Sequence, residues 1–256
     1  MTDKSVFDAN AITVEVGDQK ILMGSWRFPR EGSFSQLWNI VVGARTTLST
    51  TLKALDAIRM NGRLSDEAKK SDSHDEAMTA LVDIGKRQRA LDSFFQTYRS
   101  DFLSIVSVKP YGGPNAQVDV TLDCEIARMF RELKGQDRSD YIKRLISGEY
   151  SREADAVMRL PKTLFQMDDK SREAIESAAI RRAQPAAVEE YQQLEEALNT
   201  TQWLLRQVVD RITKNSSLSI EDQIVALGRD AWAPFVKPLG SPEAMKALAE
   251  RYLNAA

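Results

Sequence analysis

Between Ser73 and Ile105 the residues at alternating steps of four and three are Ala77, Leu81, Ile84, Gln88, Leu91, Phe95, Tyr98, Phe102 and Ile105. An apolar stripe of that period is the seam of a long amphipathic helix, and such a helix needs partners that bury its stripe. Two further stretches carry the same pattern. Upstream, Phe34, Leu37, Val41, Ala44, Leu48, Thr51, Leu55 and Ile58 form one seam, and downstream Ala187, Tyr191, Leu194, Leu198, Thr201, Leu205, Val208 and Ile212 form another. At about 1.5 Å per residue each helix spans roughly 40 to 50 Å. None would be stable alone, because helices in proteins are held mainly by burial of one face. The pattern therefore predicts a mainly α fold: an elongated antiparallel bundle of three long heptad-patterned helices.

The remaining stretches attach to this core. Ile12, Val14 and Val16 alternate with polar residues, and Gly17-Asp18 separates them from Lys20–Trp26, which predicts a small β-hairpin. A lone two-stranded hairpin is marginal in water, so it must pack on the bundle or pair with another strand. Ser33 with Gln36, and Ser73 with Glu76, have capping-box spacing and predict the starts of the first two long helices. Asn61-Gly62 stops the first, and residues 63–72 form a polar connector. Two prolines and two glycines within Lys109–Pro114 end the second. Val118 and Val120 then alternate as a brief strand. Short helices follow at 122–134, stopped by Gly135; at 139–147, stopped by Gly148; at 151–160, before Pro161; and from Asp168 to Gln184. Pro185 opens the third long helix. Ser219 caps a helix to Arg229, Trp232–Pro238 forms an irregular strap, and a last helix runs over 241–253. The expected organisation is a tail and hairpin over 1–32, a long-helix hairpin over 33–105, a short-helix insertion over 106–184, the third bundle helix over 185–215, and a C-terminal helical pair over 216–256.

Cys124 is the only cysteine, which removes any intrachain disulfide and favours a reducing compartment. The N-terminal residues lack an apolar signal core, and no stretch reaches the roughly 18 apolar residues of a membrane helix. A soluble, cytoplasmic protein is expected. A formal net charge of −2 supplies no global field toward nucleic acid or an anionic membrane.

Few residues suggest catalysis. His74, the only histidine, falls in the polar stretch before the second seam and reads as an exposed first-turn residue. Cys124 lies between Asp123 and Glu125, neighbours that work against a reactive thiolate, and reads as a small packed residue. The acids Asp168-Asp169, Glu189-Glu190 and Glu195-Glu196 lack calcium-loop spacing. Asp168 reads as a helix cap and the glutamates as a solvated face. Gly112-Gly113 lacks the lysine and hydroxyl of a phosphate loop and reads as a turn. No metal, cofactor or catalytic set is assigned.

Three residues stand out as contact candidates. Gln88 is a polar residue on the second seam, where it either fixes register or marks an opening to water. Trp203 faces away from the third seam, and Trp26 lies at the end of the hairpin. Large aromatics off a core stripe cover an attached subdomain or anchor a partner. The leading expectation is a non-enzymatic structural or interaction protein, an assembly component or adaptor, with protein partners. One alternative is a nucleic-acid-associated regulator using the short helices of 122–160 with Lys143, Arg144, Arg181 and Arg182. It is disfavoured by the acids interleaved there. Another is an enzyme or small-ligand protein with a site between insertion and bundle.

Overall fold

The structure, a computed structural model, describes residues 10–17, 19–107, 111–228 and 230–235. In chain order the elements are β1 (Ala11–Val16), β2 (Gln19–Ser25), a 3-10 turn (Gly32–Phe34), α1 (Ser35–Met60), α2 (Asp66–Val106), α3 (Ala116–Glu132), α4 (Gly135–Ser147), α5 (Ser151–Arg159), α6 (Lys162–Phe165), α7 (Asp169–Ala183), α8 (Pro185–Ser216) and α9 (Ile220–Leu227). The expected last helix over 241–253 lies outside the described residues. The chain divides into two compact units: residues 98–192, and the residues before and after them.

In the unit outside 98–192, α1, α2 and α8 pack as a helical bundle. Leu37, Val41, Ala44, Leu48 and Leu55 of α1 are buried with Ala77, Leu81, Ile84 and Leu91 of α2 and Leu194, Leu198, Leu205, Val208 and Ile212 of α8. Each full burial of a leucine- or isoleucine-sized side chain stabilises the fold by about 1.5–3 kcal/mol. Helix direction follows from polar ties. Thr47 Oγ1 of α1 donates to Asp83 Oδ2 of α2 at 2.6 Å, and the Arg87 guanidinium lies over Gly43, so α1 and α2 are antiparallel. The α2 seam is buried only as far as Leu91; Phe95 is half-buried. In this unit α1 begins at Ser35.

Both expected capping boxes fall elsewhere. Ser73 and Glu76 sit inside α2, because Ser65 Oγ accepts from the Ala68 amide at 3.1 Å and starts the helix earlier. The acids Asp66 and Glu67 then occupy the first turn, where the helix dipole favours them. Ser33 and Gln36 give way to the 3-10 turn, where the Ser35 hydroxyl donates to the Gly32 carbonyl at 2.8 Å. At Ser219 the expected cap forms, as a capping box with Asp222.

β1 and β2 pair antiparallel, with an irregularity between Ile12 and Thr13. The turn begins at Gly17, whose φ of +56° suits glycine. The hairpin packs on the bundle. Ile12 and Val14 are buried on the α1 side, and Gly24 of β2 lies under the Trp203 ring. Arg211 Nη2 of α8 donates to the Leu22 carbonyl at 3.1 Å, which occupies a polar group of the β2 backbone.

The unit of residues 98–192 has its own core of Phe130, Leu145, Val157, Phe165 and Ile175. α5 packs on α3, α4 and α7, and α6 packs on α3. Val118 and Val120 do not form the expected strand; they lie in the first turns of α3. Gly135 does not stop α3, which ends at Glu132. It opens α4 with φ +53°. Gly148 ends α4 in the left-handed region, and Asp168 caps α7 by accepting from the Ser171 amide.

Candidate functional site

α3 turns one face, Asp123, Ala127 and Phe130, into the core of residues 98–192. A carboxylate there must replace its lost water. Asp123 is fully buried and has four protein donor bonds. The Tyr111 hydroxyl donates to Oδ2 at 2.7 Å, Arg159 Nε to Oδ2 at 2.8 Å and Arg159 Nη2 to Oδ1 at 3.3 Å, and Arg152 Nη1 donates to Oδ1. Arg152 and Arg159 stand one heptad apart on α5 and so reach the same side. Burial works to raise the Asp123 carboxyl; hydrogen bonds from Arg159, Tyr111 and Arg152 outweigh it and hold the group below its ordinary value. Burial, then the Asp123 carboxylate, pushes the Tyr111 phenol upward.

Tyr111 and Arg159 also line a cavity of about 520 Å³ among α2, α5 and α7. Its apolar walls are Leu103, Val106, Met158 and Ile180, and Ser107 and Glu176 complete the lining. Glu176 Oε1 accepts from Arg172 Nε at 2.6 Å, so its charge is paired. The arrangement combines an apolar body with one guanidinium, two hydroxyl residues and one carboxylate, the mixed lining of a small-molecule pocket.

The opposite face of α3 is unlike a solvated helix. Val118, Leu122 and Met129 fall within one narrow stripe and are 58%, 49% and 40% exposed. Apolar side chains of that size aligned in solvent mark interaction surfaces more often than isolated ones do.

Gln88 proves to be fully buried. Its Nε2 donates to Asp92 Oδ1 at 2.9 Å and to Gln202 Oε1 at 2.8 Å. Asp92 only accepts, so it dictates which way the Gln88 amide points. Gln88 Oε1 and Gln202 Nε2 are buried without partners among the described residues. Beside them Leu91, Phe95 and Leu198, with Asp92, Glu195, Asn199 and Gln202, line a groove of about 340 Å³.

Trp203 is 48% exposed, with the rest of its ring against Gly24. Trp26 is a core residue at 1% exposure, tilted against Trp38 with centroids 5.6 Å apart. The basic side chains of the nucleic-acid alternative are largely occupied within the unit. Lys143 Nζ pairs with Asp140 at 2.9 Å, Arg144 Nη1 donates to the Tyr150 hydroxyl at 2.7 Å, and Arg182 donates to the carbonyls of Leu145 and Ile146 at the end of α4. Arg181 is exposed. His74 is not in a first turn. It lies within α2, with Nε2 3.5 Å from Asp222 Oδ2. Cys124 is exposed rather than packed. Among the described residues no group of three His, Cys, Asp or Glu side chains is placed to hold a metal ion, and no helix is long and apolar enough to cross a membrane.

The Asp123 centre is not apparent in the sequence, where Asp123 reads only as an acid beside Cys124. The available signal was the heptad spacing of Arg152 and Arg159 beside an aspartate in register with Ala127 and Phe130. The chain is a mainly α-helical bundle protein with an N-terminal β-hairpin. No known protein family, curated protein or solved structure matches it.

Proposed function

We propose that this chain is a non-enzymatic assembly component that works through helical surfaces. The reading is carried by the apolar stripe of α3, Val118, Leu122 and Met129, held in solvent while the reverse face of the same helix anchors a core. Leaving those side chains exposed forgoes the stabilisation that burial provides, and a partner recovers it. A formal net charge of −2 gives little self-repulsion, so a second copy is the first partner to test.

The test is the solution mass by light scattering over a range of concentrations, for the wild type and for Val118→Glu/Leu122→Glu/Met129→Glu. The wild type should form a defined oligomer, and the triple variant should run as a monomer with unchanged helicity. A wild type that stays monomeric throughout, or a variant that keeps the wild-type mass, would overturn the reading.

A further inference from the structure

Where α1 and α8 stop and α2 starts, a cavity of about 420 Å³ opens within the bundle unit. Its lining follows from local spacing. Lys69 and Ser73 stand four residues apart on α2, as do Lys70 and His74, so these side chains fall on adjoining faces of successive turns. Leu55 and Arg59 stand four apart on α1, the first buried and the second exposed. Asn215 and Ser217 close the wall at the end of α8.

The lining holds three permanent positive charges, Arg59, Lys69 and Lys70, and no carboxylate. Nearby acids answer only part of this charge. Arg59 pairs with Asp56 at 3.2 Å, and His74 lies against Asp75 and Asp222. Asp66, Glu67 and Asp72 share the first turns of α2, but they are exposed and do not line the cavity. Neither lysine forms an ion pair or a side-chain hydrogen bond with any of the described residues. Exposed charges beyond contact distance are screened by water and salt, so those acids do not occupy the two ammoniums.

Ser217 adds a second observation. Its φ of +56° lies in the left-handed region, where glycine alone is free of strain. Serine at this position gives up that ease and brings a hydroxyl to the cavity wall. The hydroxyls of Ser73 and Ser217 have no partner among the described residues.

We propose that this cavity binds the phosphate of a phosphomonoester, with Arg59, Lys69 and Lys70 around the dianion and the Ser73 and Ser217 hydroxyls donating to its oxygens. A phosphomonoester offers close to two negative charges and three acceptor oxygens, which suits a lining of fixed cations and hydroxyl donors. Asn215 and Ser216 leave a polar wall for the rest of the molecule. The inference is independent of the α3 stripe, so either reading can fail alone.

The test is calorimetric titration of the full chain with ribose 5-phosphate and with ribose, at fixed ionic strength. Ribose 5-phosphate should saturate one site per chain and bind at least about tenfold more tightly than ribose, the discrimination expected of charge-assisted hydrogen bonds. Lys69→Gln/Lys70→Gln should weaken it by about tenfold or more. Its circular dichroism spectrum should not change, because the lysines have no side-chain partner to lose and glutamine favours a helix about as well. Lys143→Gln/Lys162→Gln makes the same charge change at paired lysines of the other unit and should leave the affinity unchanged. Cosedimentation with phosphatidylcholine vesicles, with and without phosphatidic acid, separates a lipid headgroup from a free phosphomonoester. Sedimentation that requires phosphatidic acid and is lost in Lys69→Gln/Lys70→Gln would support the same site with a lipid source. The proposal is overturned if neither ribose 5-phosphate nor phosphatidic acid is bound, or if ribose binds as tightly as its phosphate. It is also overturned if Lys69→Gln/Lys70→Gln keeps the wild-type affinity, or if Lys143→Gln/Lys162→Gln loses as much.

Discussion

Gly85 has no room for a methyl group. A Cβ there would lie 2.3 Å from the Leu227 carbonyl oxygen and 3.0 Å from its carbon, both backbone atoms at the end of α9. Arg89 of the same helix donates to that carbonyl at 3.2 Å, so α9 is seated on α2 by one absent side chain and one long one. Gly85→Ala should cost about 1–3 kcal/mol in urea unfolding, because backbone must move. Alanine's better helix propensity, about 1 kcal/mol, offsets part of this. Tyr141 presents the opposite case. Its hydroxyl is buried without a partner among the described residues, and its phenol is pushed up to about 12 by burial and then by Glu153 and Tyr150. Tyr141→Phe keeps the ring contacts to Phe130 and Tyr150 and removes an unsatisfied group. It should be neutral or stabilising by up to about 1 kcal/mol, and a loss of that size in the same assay would mean the hydroxyl is bonded.

At the scale of elements, the long helices were legible because their stripes repeat often enough to exclude a strand. Their boundaries were not. Ser65 and Ser73 both precede acidic, helix-favouring residues, and local spacing does not decide which hydroxyl meets an open amide. Val118 and Val120 read as a two-residue alternation, yet Val118 belongs with Leu122 and Met129 on a helical period that only a longer window reveals. The hairpin was legible from Gly17-Asp18, but its docking depends on Gly24, whose lack of a side chain carries no periodic signal. A Cβ at Gly24 would lie 2.5 Å from Trp203 Cζ3 and 2.9 Å from Leu204 Cδ2. Gly24→Val should therefore loosen the hairpin from α8 at a cost of about 1–3 kcal/mol. The near-ultraviolet circular dichroism should change while far-ultraviolet helicity holds. A variant with wild-type near-ultraviolet signal and stability would mean that Trp203 does not seat β2.

For the molecule as a whole, stability in acid rests on carboxylates held in both units. Asp123 belongs to residues 98–192 and Asp222 to the other unit, and both lie below their ordinary value of 3.8. At Asp222 burial raises the group, but the Ser219 hydroxyl and amide and then His74 lower it further. A carboxyl depressed by folding is protonated first in the unfolded chain. Its contribution is present in full above pH 3.8 and is lost as pH falls through the folded-state value. The melting temperature should therefore hold from neutrality to about pH 5 and drop steeply below about pH 4. Asp123→Asn should cost about 3 kcal/mol at neutral pH, since it leaves Arg152 and Arg159 without their shared carboxylate. The same substitution should flatten the acid limb, because one of the groups that generates it is gone. Melting curves of wild type and variant between pH 7 and pH 3 decide the matter. A variant that is less stable at pH 7 but keeps the full wild-type slope below pH 4 would mean that the acid sensitivity arises outside the Asp123 centre.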